Sequence, residues 1–460
     1  MKAVLFALLF SASVGSSQEH PGSATSVLHV TVVNVATGME SHNQTVKIQG
    51  DRIVSVAPTE ETDAALPEAI DAHGAFLIPG LWDMHIHVHD ANELPLYIAN
   101  GVTGVRIMSG LKDEAAYRAE LARQETSPEI YLASAIVDGE PALWPSSIVI
   151  RKAADGRRTV DEIKASGADF VKVYDKIPRE AYFALADEAK QQHIPFEGHV
   201  PEAITAQEAS KAGQRSIEHL TGLAMACSSK QDIVMAEMAK ARFFQNRLAV
   251  EADALRSFDP AKCQALFSQF RTNDTWQVPT LTVLRMWSRL DDSKIKSDPR
   301  LVYIGRRSRD RWDDRTQPLI QRWDNSMYQM TRGIFSVEQK LVKGMSVTGV
   351  PIMAGTDAMN PYCFPGFSLH DELGLMVESG LTPLEALQTA TINPAKFLGR
   401  SSVLGTVETG KIANLVLLRA DPLADIHNTM QIQAVWLKGR YFDEAALAQM
   451  LERIKQAAKH

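Results

Sequence analysis

Eight short apolar runs, separated by stretches with helical periodicity, dominate the middle of this 460-residue chain. Short apolar runs that alternate with helices are typical of parallel strands buried on both faces. Eight strand–helix units predict an α/β fold closed into a (β/α)8 TIM barrel. The runs lie at 82–87, 102–108, 130–137, 169–174, 194–200, 216–220, 276–283 and 351–357.

Strand-like segments also lie at both ends of the chain, where β-branched and polar residues alternate. They are found at 27–33, 46–48, 53–56, 415–418 and 432–437. Alternation with a period of two is typical of antiparallel strands that bury one face. We therefore predict a small β-sandwich domain built from residues 27–75 and 403–445, and a barrel domain over 76–402.

Two connections of the predicted barrel are long, at 221–275 and 284–350. Such insertions usually lie on the face that carries the active site, so we expect them to close over the barrel mouth and favour small substrates. Arg271, Arg285 and Arg306 lie in or beside them. Each is a candidate for holding a substrate carboxylate, with an ordinary exposed arginine as the alternative.

Polar side chains stand where the strands of the barrel end, and this is the edge from which reactive groups come in such folds. The first run ends in His85 and His87, which share one face of an extended strand. The fourth run contains Lys172, which is costly in an apolar strand unless it is paired or modified, or snorkels from an edge. His199, His219 and Asp357 end the fifth, sixth and eighth runs.

The motifs around these residues resemble those of the amidohydrolase superfamily, in its imidazolonepropionase-like branch that includes Xaa-Pro-type dipeptidases. The resemblance covers residues 27–445. Its motifs are Asp83-x-His85-x-His87, Asp-Phe-Val-Lys172-Val-Tyr, Gly-His199-Val, Ser-Ile-Glu-His219-Leu and Ala-Gly-Thr-Asp357, with longer similar segments at 381–387, 389–395 and 405–416.

The resemblance implies a site for two divalent ions, with zinc as the expected metal. It assigns six ligands: His85, His87 and Asp357 for one ion, His199 and His219 for the other, and Lys172 as a bridge. Burial lowers the pKa of a lysine, so its neutral amine can add carbon dioxide and form a carbamate with one oxygen for each ion.

The implied function is hydrolysis of a C–N bond in a small amide or peptide, such as a dipeptide or an N-acyl amino acid. A hydroxide that bridges both ions attacks the carbonyl, and Asp357 carries its proton to the leaving amine. Asp357 and Lys172 are therefore the predicted catalytic residues. Tyr174, Tyr362 and His370 are candidate substrate contacts, with packing as the alternative role of each.

Substrate specificity does not follow from the resemblance, because two loops depart from the family pattern. Arg106 is followed by Ile107 where members of this branch often have aspartate. A Gly-His-Gly turn after the third strand is replaced by residues 138–141.

Three other interpretations stay open. The segment His199-Val-Pro-Glu202 matches the His-x-x-Glu of one-metal deaminases in the same superfamily, where the glutamate protonates a heterocycle; Glu202 is otherwise a favourable residue at a helix start. A cyclic amide hydrolase is a related alternative. A non-catalytic scaffold is less favoured, because such proteins typically lose metal ligands and all six residues are present.

The first 17 residues are typical of a secretory signal peptide. Lys2 precedes an apolar core at 3–10, and small residues follow at 11–17. The core is too short to span a bilayer, and no later run is long enough. We expect cleavage between Val14 and Gln18 and export to a periplasm or the medium.

The remaining composition bears on partners. A formal net charge of −7 without a basic cluster argues against nucleic acid. In an oxidising compartment Cys227 and Cys263 could pair, although three free thiols are an equal alternative at this level. The sequence leaves homo-oligomer formation open.

Overall fold

The computed structural model describes residues 24–66, 68–111, 113–124, 126–241 and 243–459. The predicted signal peptide at 1–17 and its cleavage site lie outside the described residues. Within the described ranges, no helix is long and apolar enough to cross a membrane.

The described residues form strands and helices along the whole chain, and in the middle of the chain short parallel strands alternate with helices. The strands are β1 (Ala24–Val33), β2 (Glu40–Gln49), β3 (Arg52–Pro58), β4 (Ala69–Asp71), β5 (Phe76–Pro79), β6 (Leu81–Ile86), β7 (Val102–Ile107), β8 (Glu129–Leu132), β9 (Val137–Asp138), β10 (Ile148–Val149), β11 (Val171–Val173), β12 (Phe196–Gly198), β13 (Ser216–Glu218), β14 (Trp276–Val278), β15 (Leu415–Leu418), β16 (Ile432–Leu437) and β17 (Arg440–Asp443). The helices are α1 (Leu94–Ala99), α2 (Glu114–Leu121), α3 (Ala153–Ser166), α4 (Arg179–Gln191), α5 (Ala206–Ala212), α6 (Leu223–Ala226), α7 (Gln231–Met238), α8 (Phe244–Arg256), α9 (Pro260–Thr272), α10 (Leu281–Ser288), α11 (Ser293–Lys296), α12 (Arg306–Arg322), α13 (Asn325–Thr348), α14 (Phe367–Glu378), α15 (Pro383–Thr389), α16 (Ile392–Phe397) and α17 (Glu444–Ala457). This mixture of strands and helices confirms the predicted α/β class.

The strands of both chain ends pair within one sheet, in the order β17-β16-β15-β5-β1-β2-β3, with β4 beside β1. The two ends meet where β5 pairs antiparallel with β15, which puts Ile78 opposite Val416. Leu77, Leu415 and Trp436 are buried in the apolar core of this sheet. The division into a sandwich of 27–75 with 403–445 and a barrel of 76–402 stays a prediction.

The middle of the chain forms a ring of backbone pairing. Strands β6, β7 and β8 form one parallel sheet, and β10-β9-β11-β12-β13-β14 form another. Pairing of Ala133 with Phe170 joins the two sheets on one side. On the other side, segment 351–358 pairs through Ile352 with Gln277 of β14 and through Ala358 with Ile86 of β6.

The eighth predicted strand, 351–357, is therefore held by isolated pairings rather than by a regular ladder. The carboxylate of Asp83, which is fully buried, accepts hydrogen bonds from the backbone N–H (3.1 Å) and the hydroxyl (2.7 Å) of Thr356. These side-chain bonds tie the segment to β6 and leave the backbone free to take the positive φ of 57° at Asp357.

The third and seventh predicted strands are shorter than the sequence indicated. Residues 130–137 divide between β8 and β9, and β14 ends at Val278 instead of continuing to 283. Helix α10 begins at Leu281 because the buried carboxylate of Glu372 accepts hydrogen bonds from the N–H groups of Leu281 (2.9 Å) and Thr282 (2.7 Å). An anion at these otherwise unpaired N–H groups stabilises the start of a helix.

The two predicted insertions are mainly helical. Segment 221–275 contains α6 to α9, and segment 284–350 contains α11 to α13. Cys227 and Cys263 form a disulfide with their Cα atoms 4.5 Å apart, whereas Cys363 is free and buried. The disulfide fastens the end of α6 to α9.

Removal of this disulfide is expected to destabilise the protein. The two cysteines are 36 residues apart in sequence, so replacing both by alanine opens this loop and raises the conformational entropy of the unfolded chain. We expect the free energy of unfolding to fall by about 3 kcal/mol. Urea denaturation followed by circular dichroism measures this, with reduced wild-type protein as the comparison. Equal unfolding midpoints for oxidised and reduced wild type would contradict the prediction.

Candidate metal centre

The structure brings the predicted ligands at the ends of the first, sixth and eighth strand segments into contact. Nε2 of His85 lies 3.5 Å and Nε2 of His87 3.1 Å from Oδ1 of Asp357. Ligand-type atoms of His85, His219 and Asp357 all lie within 4.8 Å of one another. The His199 ring centroid is 4.9 Å from that of His219, so the fifth strand segment contributes to the same cluster.

Two of the four histidines are held by carboxylates. Nδ1 of His85 donates to Glu218 (2.7 Å), and Nδ1 of His199 donates to Asp175 (2.7 Å). Burial would raise the pKa of Asp175, but His199 and Arg247 lower it below its usual range, so Asp175 is an ionised acceptor. An ionised carboxylate only accepts, so Nδ1 carries the proton and Nε2 keeps its lone pair for a metal ion.

The other two histidines are held by hydroxyls. Nδ1 of His87 lies 2.7 Å from Oγ of Ser109, and Nδ1 of His219 lies 2.6 Å from Oγ1 of Thr280. The Thr280 hydroxyl donates its own proton to the Pro279 carbonyl (2.7 Å), so it must accept from His219. His219 thus presents the same tautomer as the carboxylate-bound histidines. Burial lowers the pKa of His219 to about 3, which keeps its ring neutral.

Three buried polar atoms of this cluster make no hydrogen bond to any described residue: His85 Nε2, Asp357 Oδ1 and Lys172 Nζ. Leaving such atoms unpaired is costly, and His85 Nε2 and Asp357 Oδ1 lie only 3.5 Å apart. Burial lowers the pKa of Lys172 to about 8, which favours the neutral amine compared with an ordinary lysine. Imidazole nitrogens and a carboxylate oxygen are suitable ligands for a divalent ion, so the residues present fit the implied metal.

A buried arginine forms the floor of the cluster. The fully buried guanidinium of Arg106 donates to Glu197 (2.6 Å), Glu218 (2.9 Å) and the Ser216 hydroxyl (2.9 Å). Burial would lower the pKa of Arg106, but the two carboxylates raise it. Arg106 therefore holds Glu218 in the position from which it orients His85. In the sequence, Arg106 was notable only because Ile107 follows it where members of the branch often have aspartate.

A cavity of about 1080 Å³ opens over the cluster. It is bordered by His87, Lys172, His199, His219 and Asp357, and both insertions contribute to its walls. The expectation that these long connections lie over the site agrees with this arrangement. The apolar wall residues include Met225, Met235, Met238, Phe244 and Leu248 from the first insertion and Trp287, Trp312, Leu319 and Ile334 from the second.

Of the three predicted substrate contacts, Tyr174 lines the cavity, with its ring 4.0 Å from that of His199. His370 does not line the cavity: its ring nitrogens contact the Thr429 hydroxyl (2.9 Å) and the Asn100 carbonyl (3.1 Å), which agrees with the alternative role of packing. Tyr362 also lies outside the cavity lining and packs on Trp312 with ring centroids 5.5 Å apart.

None of the three candidate arginines lines the cavity, which agrees with the alternative that they do not bind substrate. Arg271 donates to the Thr348 carbonyl (3.3 Å), Arg285 lies 3.9 Å from Asp371, and Arg306 is exposed beside Asp310.

Arg315, which the strand-end pattern could not identify, is an arginine that does line the cavity. Arg315 of α12 donates to Asn360 (2.6 Å), and its guanidinium lies 5.7 and 5.5 Å from the Trp144 and Trp287 rings. It forms no ion pair with any described carboxylate.

Glu202 lines the cavity but is engaged by two cations. Lys176 Nζ lies 2.6 Å from its carboxylate, and Arg247 pairs with the same group while donating to Asp175 (3.1 Å). A carboxylate that accepts from two cationic donors is poorly placed to donate a proton to a substrate.

Comparison with known proteins places this geometry in context. Residues 307–441 match the family model described as the amidohydrolase family. The imidazolonepropionase of Geobacillus kaustophilus is 40% identical over 85 residues, which are 18% of each chain. The match thus spans about a fifth of the length of that curated relative.

Two solved structures share the fold over nearly the whole chain. A bottromycin amidohydrolase aligns with a TM-score of 0.77 at 22% identity, covering 96% of this chain and 91% of that chain. A Xaa-Pro dipeptidase with methionine bound in its active site aligns with a TM-score of 0.66 at 18% identity, covering 92% and 100% of the two chains.

The hydroxyl that orients His219 provides a direct test of the metal centre. Thr280→Val keeps the β-branched shape at a residue with φ of 51° and removes the hydroxyl that accepts from His219 and donates to the Pro279 carbonyl. We expect divalent metal affinity to fall by roughly 10- to 100-fold, because the ring loses its fixed tautomer and orientation. Competition with a chromophoric chelator measures it, and Thr272→Val on exposed α9 is the control. Unchanged affinity would show that Thr280 does not act on a metal ligand.

Proposed function

Because the chain belongs to the amidohydrolase superfamily, in the imidazolonepropionase- and dipeptidase-like branch that its motifs resemble, we propose that it is a metal-dependent hydrolase of carbon–nitrogen bonds. The observation that carries the proposal is the histidine cluster beside Asp357, in which each Nδ1 has a partner within 2.7 Å. Four independent partners for four histidines match the way proteins orient metal ligands.

We infer that the ring of parallel segments is the predicted (β/α)8 barrel, because reactive groups then stand at the C-terminal ends of its strands. His85, His87 and Asp357 would hold one ion, and His199 with His219 a second. Lys172, as a carbamate formed with carbon dioxide, would bridge them, with zinc as the expected metal. The burial of Lys172 and its unpaired Nζ support this assignment.

Bound divalent ions would supply an activated water and polarise the substrate carbonyl. The chain supplies the proton carrier. Burial would raise the pKa of Asp357, but His219, His87 and Lys172 lower it to about 2, so it is an ionised base at neutral pH. The Asp357 carboxylate can then take a proton from the attacking water and return it to the leaving amine, which amide hydrolysis requires.

The substrate that fits best is a small amide, such as a dipeptide or an N-acyl amino acid. A cavity of about 1080 Å³ under helical insertions is of the size that holds a small molecule. Arg315 is positioned to bind an anionic group such as a carboxylate, since its guanidinium faces two aromatic rings and lacks a described carboxylate partner.

A one-metal deaminase is the second candidate and is less well supported. Its proton donor would be Glu202, which instead accepts from Lys176 and Arg247. We further propose export of the protein. The apolar segment after Lys2 supports this, and the disulfide between Cys227 and Cys263 suits an oxidising compartment.

The role of Lys172 can be tested through metal content. We expect Lys172→Ala to lose at least one ion per chain and most activity, because no side chain would then bridge the two ions. Metal analysis and activity assays measure this, with Lys190→Ala on exposed α4 as the control. Reconstitution in buffer freed of bicarbonate should activate wild type more slowly. A fully active Lys172→Ala variant would contradict the carbamate.

A substrate screen tests the proposed reaction. Dipeptides, N-acyl amino acids, lactones and aminated heterocycles are incubated with metal-loaded protein, and free amino acid and ammonia are measured separately. We expect amino acid release from amides, because two ions can activate both nucleophile and carbonyl. Ammonia from a heterocycle with no amide cleaved would transfer the assignment to a deaminase and give Glu202 the acid role.

A further inference from the structure

One arm of the cavity is formed by three helices of the insertions. Helix α7 contributes Met235 and Met238, α8 contributes Leu248 and Glu251, and α13 contributes Ile334 and Glu338. The spacing of three or four residues in each helix places each pair on one face. Four of the six side chains are apolar and two are carboxyls.

Glu338 is the unusual member of this arm. Its side chain is only 5% exposed, it lines the cavity, and it makes no hydrogen bond or ion pair with a described residue. A buried carboxyl without a partner is destabilising and therefore rare. Glu372 shows the usual arrangement, since its buried carboxylate accepts from two backbone N–H groups and the Thr282 hydroxyl.

Glu251 places a second carboxyl next to the first. Burial and the charge of Glu251 raise the pKa of Glu338 well above its usual range, and burial raises the pKa of Glu251 to about 7. Arg247, one helical turn away, lowers the pKa of Glu251 but is already paired with Asp175 and Glu202. Among the residues that the structure describes, no cation therefore contacts either carboxyl directly.

We propose that Glu251 and Glu338 form a subsite for a cationic group on an apolar stem, such as the ammonium of a lysine-like substrate. This assignment rests on the proposed function and narrows its substrate class to amides with a basic side chain. Met235, Met238, Leu248 and Ile334 provide apolar contacts for the methylene stem. The carboxyls bind its charged end, because a cation placed beside them favours their ionised form.

The position of the subsite agrees with such a substrate. Arg247 contacts Asp175, which orients His199 at the candidate metal centre. Glu251 lies four residues further along α8, about 6 Å along the helix axis. The two carboxyls line the same cavity as His199 and Asp357, so one substrate can contact both regions.

The first test compares matched substrates with the metal-loaded full chain. Glycyl-lysine and lysyl-glycine are compared with the norleucine peptides of the same length, which lack only the charge. We expect kcat/KM to be about 10- to 100-fold higher for the preferred lysine peptide than for its norleucine partner. Glu338→Gln should abolish this preference, whereas Glu237→Gln on the exposed face of α7 should retain it.

The second test does not require hydrolysis. Binding of n-butylammonium and of n-butanol to the same protein is measured by isothermal titration calorimetry, with Glu251→Gln as a second variant. We expect tighter binding of the cation in wild type and loss of this difference in both variants. Cation binding without cleavage of any peptide would reject the proposed function and retain the subsite. Cleavage without preference for lysine, together with equal binding of amine and alcohol, would overturn the subsite and retain the function.

Discussion

The buried guanidinium of Arg106 is the interaction on which the candidate centre depends. It extends from β7 and joins Glu197 of β12 to Ser216 and Glu218 of β13, and Glu218 continues the chain of hydrogen bonds to His85. Two carboxylates beneath a cluster of metal-binding groups would repel each other in this dry interior, and a single cation balances them. Loss of that cation would leave buried charges uncompensated, a change that costs far more than the loss of a surface ion pair.

The fold could be predicted from the sequence wherever a local pattern determines the element. The apolar runs that contain β6, β7 and β11 to β13 were located because buried parallel strands are apolar on both faces. The failures come from contacts distant in sequence. The seventh run ends early because Glu372, 91 residues away, caps α10 at Leu281. The eighth is irregular because the side chain of Asp83 binds Thr356, 273 residues away. No window of neighbouring residues contains either contact.

The residues of the candidate site likewise divide into those that the sequence pattern identified and those that only the structure shows. His85, His87, His199, His219 and Asp357 were identifiable because each follows an apolar run, and strand direction in a parallel fold brings such residues to one edge. Thr280, Arg247 and Arg315 were missed because their roles depend on how loops and insertion helices pack. The sequence left two roles open for His370, and the choice between them needed the contacts of its buried ring nitrogens with Thr429 and the Asn100 carbonyl. The pairing of Cys227 with Cys263 also needed the distance between their Cα atoms, which no spacing provides.

The short junction between β5 and β6 couples the terminal sheet to the orientation of His85 and His87. Only Gly80 separates the two strands; its N–H donates to the Asn414 carbonyl (2.8 Å), and a Cβ there would come within 2.2 Å of the Thr103 hydroxyl. Pairing of β5 with β15 therefore determines which side chains of β6 point to each face of that strand. A slip of one residue in that pairing would turn His85 and His87 to the opposite face, because side chains alternate along a strand. The C-terminal strands, although far from the histidines in sequence, thus help to set the orientation of His85 and His87. A change in β15 that shifts this register can therefore disrupt the site without contacting it.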